Sequence, residues 1–360
     1  MTTMEPPTRS SMEPPAESPV ESPKLANWVG DVERFAGNQW QREPAVFTPE
    51  TLASPFDLDE LDAAFDSGLL RTPYLEMVRS DKVTVPPAAY TTSRLVSGAA
   101  HHGFADRAKV VALLRAGATL LLRYVDQWHG PTRDLVARLS EETGRHVEAF
   151  FFVTPVGGQG LAVHRDDADV FVLQVSGHKT WYVHDAPTVA DWSLGELPDD
   201  ERSKLLLQSV LEPGSVLYVP RGFAHRAVGA AGLSAHLSLT IRDISLQDLR
   251  TALEQELTEG LGLPARPLGD AAITDACATL LSHVRARLDT ITPEDLRLAA
   301  RAAQTRQPVA QTETRTERPP ETLAETARNW AADAPGAGRA GPMSVGRTWR
   351  RLRDAARTGR

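Results

Sequence analysis

The chain has a single cysteine in 360 residues, Cys277. One thiol excludes an internal disulfide framework and fits a protein kept in the reducing cytoplasm. An uninterrupted apolar run of membrane-spanning length is also missing. The longest candidate, VVALLRAGATLLLRYV, is broken by Arg115 and Arg123. The opening MTTMEPPTRSSMEPP has no basic-then-apolar signal pattern, so no membrane association is expected. Nor is there a surplus of positive charge. Lys and Arg number 39 against 47 Asp and Glu, a formal net charge of −8. That balance argues against generic nucleic-acid binding and is compatible with a basic protein or peptide as partner. No serine or cysteine nucleophile motif is present either.

What is present is enough for a sizeable core: 41% hydrophobic and 24% charged residues, sufficient for one large domain and a smaller one. Residues 1–24 repeat MEPP, are dense in Pro, Ser and Glu, and read as a disordered tail. Structure is expected to begin where Trp28, Phe35, Trp40 and Phe47 supply anchors. Helices are predicted from Asp57, from Asp106 to about Ala116 with Gly117 as stop, and from Pro131 to Gly144. TLLLRYV (119–125) reads as a buried strand.

From His146 to about Ile241 the pattern changes to short strands: VEAFFFVTP, LAVHRDDADV, FVLQVSG, KTWYV, SVLYVP and SAHLSLTI. Their spacing, with Pro-Gly and Ser-Gly turns, predicts an antiparallel sandwich or barrel, with FVLQV and KTWYV as a hairpin. After Ser245 three amphipathic helical stretches follow. They suit a homodimer contact and equally well packing against the barrel. The expected organisation is α+β: a tail (1–24), a domain (25–245), a helical segment (246–306) and a second tail (307–360) ending in the basic GRTWRRLRDAARTGR.

Within the strand-rich region LAVHRDDADV carries charge that a buried strand cannot hold unless it is paired or bound to metal. His164 and Asp166 are two apart, so on an extended strand imidazole and carboxylate project from one face. His225, after the PRG turn of EPGSVLYVPRGFAHRA, is the candidate third ligand. Two histidines and one carboxylate leave adjacent positions open and suit non-haem Fe(II), with zinc chemically open as well. Asp167 and Asp169 lie on the opposite face and are expected to be solvated or paired. Arg165 projects away from the metal, and Trp181 is expected to pack. His178 and His184 are expected at the surface. Lys179 needs a counter-charge if buried. SAHLSLTI alternates, with Ser234, His236, Ser238 and Thr240 on one face. That row is expected to face the cavity, with His236 as an alternative ligand should His225 miss the metal.

HRDDADVFVLQVSGHKTW, followed by PGSVLYVPRGFAHRA and SAHLSLTI, resembles the JmjC-type cupin oxygenases, specifically their ribosomal-oxygenase-like branch. The resemblance spans about residues 27–245. It implies a double-stranded β-helix (jelly-roll) core and the use of Fe(II), 2-oxoglutarate and O2 to hydroxylate protein side chains. Position by position, His164, Asp166 and His225 match the iron ligands and Lys179 the 2-oxoglutarate lysine. Ser234, His236 and Thr240 would add hydroxyl and imidazole contacts to that co-substrate. The segment after Ser245 is similar in placement to the family's dimerisation region. Two features depart from the pattern: Phe150 stands where close relatives read asparagine, and no winged-helix pattern is legible after about Arg306. Two other readings remain at this point, a tailoring hydroxylase of small molecules or peptides and a metal-binding jelly roll without turnover.

Overall fold

A computed structural model describes residues 24–305, apart from 80–84, 190, 191, 193 and 198–203. The expected tails, with the basic C-terminal stretch, lie outside the described residues.

The N-terminal part interleaves short helices with sheet edges: α1 (Leu25–Val29), α2 (Val32–Asn38), β1 (Ala45–Phe47), α3 (Leu58–Ser67) and β2 (Leu75–Val78). A two-stranded ribbon follows, β3 (Thr91–Val96) with β4 (Ala99–Ala105), and then α4 (Arg107–Arg115), β5 (Thr119–Leu122), α5 (Val125–Trp128) and α6 (Gly130–Thr143). Local chemistry sets these ends. The Asp57 carboxylate accepts from the Asp59 and Glu60 amides to open α3, Asp106 caps α4 through the Lys109 amide, and Gly144 closes α6 in the left-handed region. The strand predicted over 119–125 stops at Leu122, and Val125 already opens α5.

The central region comprises β6 (His146–Thr154), β7 (His164–Arg165), β8 (Ala168–His184), β9 (Gly195–Glu196), β10 (Leu205–Leu211), β11 (Val216–Val219) and β12 (His225–Arg242). The main sheet runs β1-β11-β8-β12-β6-β5-β2, with β10 also on β8, and β7 between β12 and β9. The predicted hairpin at Ser176-Gly177-His178 is not formed. FVLQV and KTWYV are instead two halves of one strand, β8, paired along its length with β12. Both strands change layer together. The first half of β8 meets β11 and the late half of β12, while its second half meets β10 and the early half of β12.

Register shifts cluster where this happens, between Gly229 and His236. Gly177 makes the bend possible. Its φ is +59°, and a Cβ there would sit 2.6 Å from the Leu233 carbonyl oxygen and 2.9 Å from that of Ala231. LAVHRDDADV is likewise not one strand, since pairing covers only His164–Arg165 before β8 resumes at Ala168.

Alternation then divides the side chains. Phe171 and Leu173 of β8, Leu237 and Leu239 of β12 and Phe151 and Val153 of β6 join Trp28, Phe35, Phe56, Leu135 and Leu139 in a core beneath the helices. Val170 and Val172 point the other way and pack with Trp181, Val183, Leu211, Phe223 and Ala227 between the layers. The helices α7 (Leu246–Thr258), α8 (Gly269–Leu288) and α9 (Pro293–Thr305) end the described chain. None of the described helices is long and apolar enough to cross a membrane.

Candidate metal centre

The bend in β8 and β12 leaves a cavity of about 360 Å³ between the two layers. His225 opens β12 directly opposite His164 of β7, a register that brings the two imidazole centroids within 4.3 Å. Asp166 leaves the strand one step after Arg165. Its carboxylate oxygens lie 3.8 Å from His164 Nε2 and 3.5 Å from His225 Nε2. Ligand atoms of all three residues fall within 4.8 Å of one another.

The tautomers follow from the partners. His164 Nδ1 lies 2.8 Å from the Ala162 carbonyl oxygen, and His225 Nδ1 lies 3.0 Å from that of Phe223. A carbonyl only accepts, so each Nδ1 carries a proton and each Nε2 is the ring nitrogen that faces Asp166. Burial, then the field of His164, pushes the His225 pKa down to about 4, so it stays neutral and able to ligate. Donor set and tautomers therefore fit a divalent metal with three protein ligands. His236 is not needed as a substitute. It stacks on Phe152 at 4.9 Å and stands edge-on to Trp181 at 5.5 Å.

Lys179 lies on β8 just past the bend and is 3% exposed. Nζ donates to Thr154 Oγ1 at 3.0 Å, that oxygen also accepts from Thr119 Oγ1 at 3.1 Å, and the Trp181 ring lies 5.8 Å away. Among the described residues no carboxylate is within ion-pair distance of it. Burial pushes its pKa down to about 7. A buried ammonium is costly unless an anion offsets it, so this position is suited to a carboxylate ligand.

The remaining polar row divides. His236, Ser238 and Thr240 line the cavity. His236 is 2% exposed with Nδ1 buried and unpartnered, and burial, then Lys179, holds its pKa well below the ordinary value. Thr240 Oγ1 donates to Glu148 Oε2 at 3.4 Å. Ser234 is not among the cavity-lining residues; the Gln174 amide donates to its hydroxyl at 2.8 Å, one layer further along β12.

Asp169 is fully buried and accepts from the Tyr218 hydroxyl at 2.6 Å, as a paired group. Asp167 lines the cavity and pairs with Arg242 at 2.6 Å. Trp181, expected only to pack, forms cavity wall, as do Phe150 and Phe152. Alternation along AFFFVT already sets Phe150, Phe152 and Thr154 on one face, a signal the sequence carried.

A JmjC-domain profile matches residues 125–249, a range that includes His164, Asp166, His225 and Lys179. That stretch is similar to a JmjC domain. Over 217 residues it is 30% identical to ribosomal oxygenase 1 of Bos taurus, covering 58% of this chain and 31% of that protein. Over 114 residues it is 40% identical to a Drosophila grimshawi protein named bifunctional lysine-specific demethylase and histidyl-hydroxylase NO66, covering 30% of this chain and 16% of that one. The chain thus spans less than a third of the length of these two relatives. Among solved structures, E. coli ycfD matches with a TM-score of 0.52 at 18% identity, over 84% of this chain and 78% of that one. The shared fold is the jelly roll. Phe150 rests against Tyr124 at 5.3 Å and pairs with Ser238 across the β6–β12 ladder.

Proposed function

We propose that this chain is an Fe(II)- and 2-oxoglutarate-dependent oxygenase that hydroxylates a side chain of a protein or peptide. The observation that carries the reading is a division of labour across one cavity: a two-histidine, one-carboxylate face and a buried lysine that has no carboxylate partner among the described residues. His164, Asp166 and His225 would hold the iron, and Lys179 with the Thr154 hydroxyl would bind the distal carboxylate of 2-oxoglutarate. His236 and Thr240, which line the cavity, would supply further polar contacts to that co-substrate, whereas Ser234, bonded to Gln174 outside it, would not.

Charge balances on this assignment. Fe(II) with one aspartate is singly positive, one 2-oxoglutarate carboxylate offsets it, and Lys179 matches the other. Iron with 2-oxoglutarate and O2 supplies oxidative decarboxylation to succinate and CO2 coupled to hydroxylation. The chain's own residues orient, exclude water through Phe150, Phe152 and Trp181, and need no protein nucleophile. The names of the relatives support a protein substrate, and the net charge of −8 suits a basic one. Exposed Ile273, Leu281 and Leu288 on α8 support a homodimer through the terminal helices.

Incubation with Fe(II), ascorbate and 2-oxoglutarate should yield succinate above a His164→Ala control. Mass spectrometry of proteins from cells lacking the gene, compared with the parent, should then find a substrate short by one oxygen atom. Metal binding without succinate, with or without cell extract, would instead make this a non-catalytic metal-binding jelly roll. A labelled small molecule in place of a protein would make it a tailoring enzyme.

A further inference from the structure

Arg165 sits in sequence between His164 and Asp166 and is 3% exposed. Alternation sends its side chain to the face opposite His164 and Asp166. There Nη1 donates to the Asp185 carbonyl oxygen at 3.0 Å and to the Gly222 carbonyl oxygen at 2.6 Å. Asp185 follows the end of β8, and Gly222 lies in the turn three residues before His225. The same turn is gripped from its other side, because the Gly222 amide donates to the Asp166 carbonyl oxygen at 2.9 Å. Two consecutive residues of the ligand segment, 165 and 166, thus hold one glycine.

The grip passes on to the third imidazole. Gly222 has a φ of +83°, which favours glycine, and a Cβ there would lie 3.3 Å from Pro187 Cδ and 3.4 Å from Trp192 Cζ2, so the turn is packed against the segment that follows β8. Next in the chain is Phe223, whose carbonyl oxygen accepts from His225 Nδ1 at 3.0 Å and thereby sets the rotation of that ring. An apolar side chain at 165 would fill the same space without dehydrating a cation. What the guanidinium adds is a fixed separation between chain segments 57 residues apart in sequence.

We propose that Arg165 is the positioning residue of the metal centre: it locks the Gly222 turn to the His164–Asp166 segment and so presets His225 as third ligand. The proposal rests on the metal reading above. It is tested on the full chain with Co(II) as probe, by titration of the metal-free protein and circular dichroism of each variant. Arg165→Gln should bind Co(II) roughly 10–100-fold more weakly, the range found when groups behind a ligand are removed, while its metal-free spectrum matches the parent. Arg165→Lys keeps the cation and can reach one carbonyl, so its affinity should fall between the two; it carries the test if the glutamine variant does not fold.

A double-mutant comparison separates positioning from general folding. In a His225→Ala chain there is no third ligand to place, so adding Arg165→Gln should change the residual Co(II) affinity by no more than about twofold. Parent-like affinity in a folded Arg165 variant, or an equal loss in both backgrounds, would overturn the proposal. Parent protein that binds Co(II) no better than His164→Ala would instead sink the metal reading itself.

Discussion

At the scale of single residues, the cavity is governed by which groups are buried without a matching charge. Lys179 is the clearest case. Replacing it with alanine removes one partner of what would be a buried charge pair, a loss of at least about 2 kcal/mol. The apparent KM for 2-oxoglutarate, read from succinate formation, should therefore rise by roughly 30-fold or more. The depressed pKa of Lys179 has a second consequence. In the metal-free, ligand-free chain it is neutral above about 7, whereas in the unfolded chain it stays charged up to its ordinary 10.5.

Unfolding therefore takes up a proton between those values, and stability should rise with pH across that window. Urea titrations of the parent should show the rise, and a Lys179→Met chain should lack it. Binding of 2-oxoglutarate needs the ammonium, so its affinity should move oppositely and weaken as pH rises above about 7. For the proposed metal ligands, His164→Ala or Asp166→Ala should each abolish tight Co(II) binding while leaving the fold intact, because neither side chain belongs to a hydrophobic cluster. Titration followed by circular dichroism checks both statements.

At the scale of elements, the site exists because β8 and β12 bend together. Ligands and Lys179 lie on one side of that bend, and the apolar and polar wall of β6 and late β12 lies on the other. Gly177 is the position that permits it, since a side chain there would collide with backbone oxygens that cannot move independently of β12. Gly177→Val should lower stability by roughly 1–3 kcal/mol through backbone strain alone, with the clash adding to it. Chemical denaturation measures this. Weaker binding of 2-oxoglutarate in the folded fraction would link the bend to the position of Lys179.

At the scale of the whole molecule, the terminal helices are tied to the barrel through a half-buried acid. Asp243, at the end of β12, pairs with Arg145 at 3.4 Å and Arg301 of α9 at 3.5 Å, and its backbone oxygen accepts from Gln304 at 2.9 Å. Arg145 in turn lies over the Trp40 ring at 5.1 Å. Burial pushes the Asp243 carboxyl up, but the Ile244 amide and the two arginines more than offset it and hold its pKa below the ordinary value. That contribution is present above the unfolded pKa and is lost as pH falls through the folded one. Asp243→Asn should cost roughly 1–2 kcal/mol and make residues 246–305 more open to limited proteolysis, with the difference from the parent vanishing in acid.

Part of the candidate site was legible in the linear order of residues. The i, i+2 spacing of His164 and Asp166 and the alternation of SAHLSLTI follow from strand periodicity, which needs no knowledge of distant partners, whereas His225 becomes a candidate only through the family resemblance and the meeting of strands distant in sequence. The helix caps at Asp57, Asp106 and Gly144 are local in the same sense. What those rules could not supply was the path of long strands. Ser176-Gly177-His178 has the composition of a hairpin turn, and only pairing with a second strand that bends at the same level keeps β8 continuous. The same pairing separates Ser234 from His236, although both lie on one face, and turns Arg165 from a residue without a role into a link between two segments. Chain order alone determined which side chains could bind a metal and an acid; packing of the two layers decided which of them meet, because the cavity is a property of the bend and no single segment contains it.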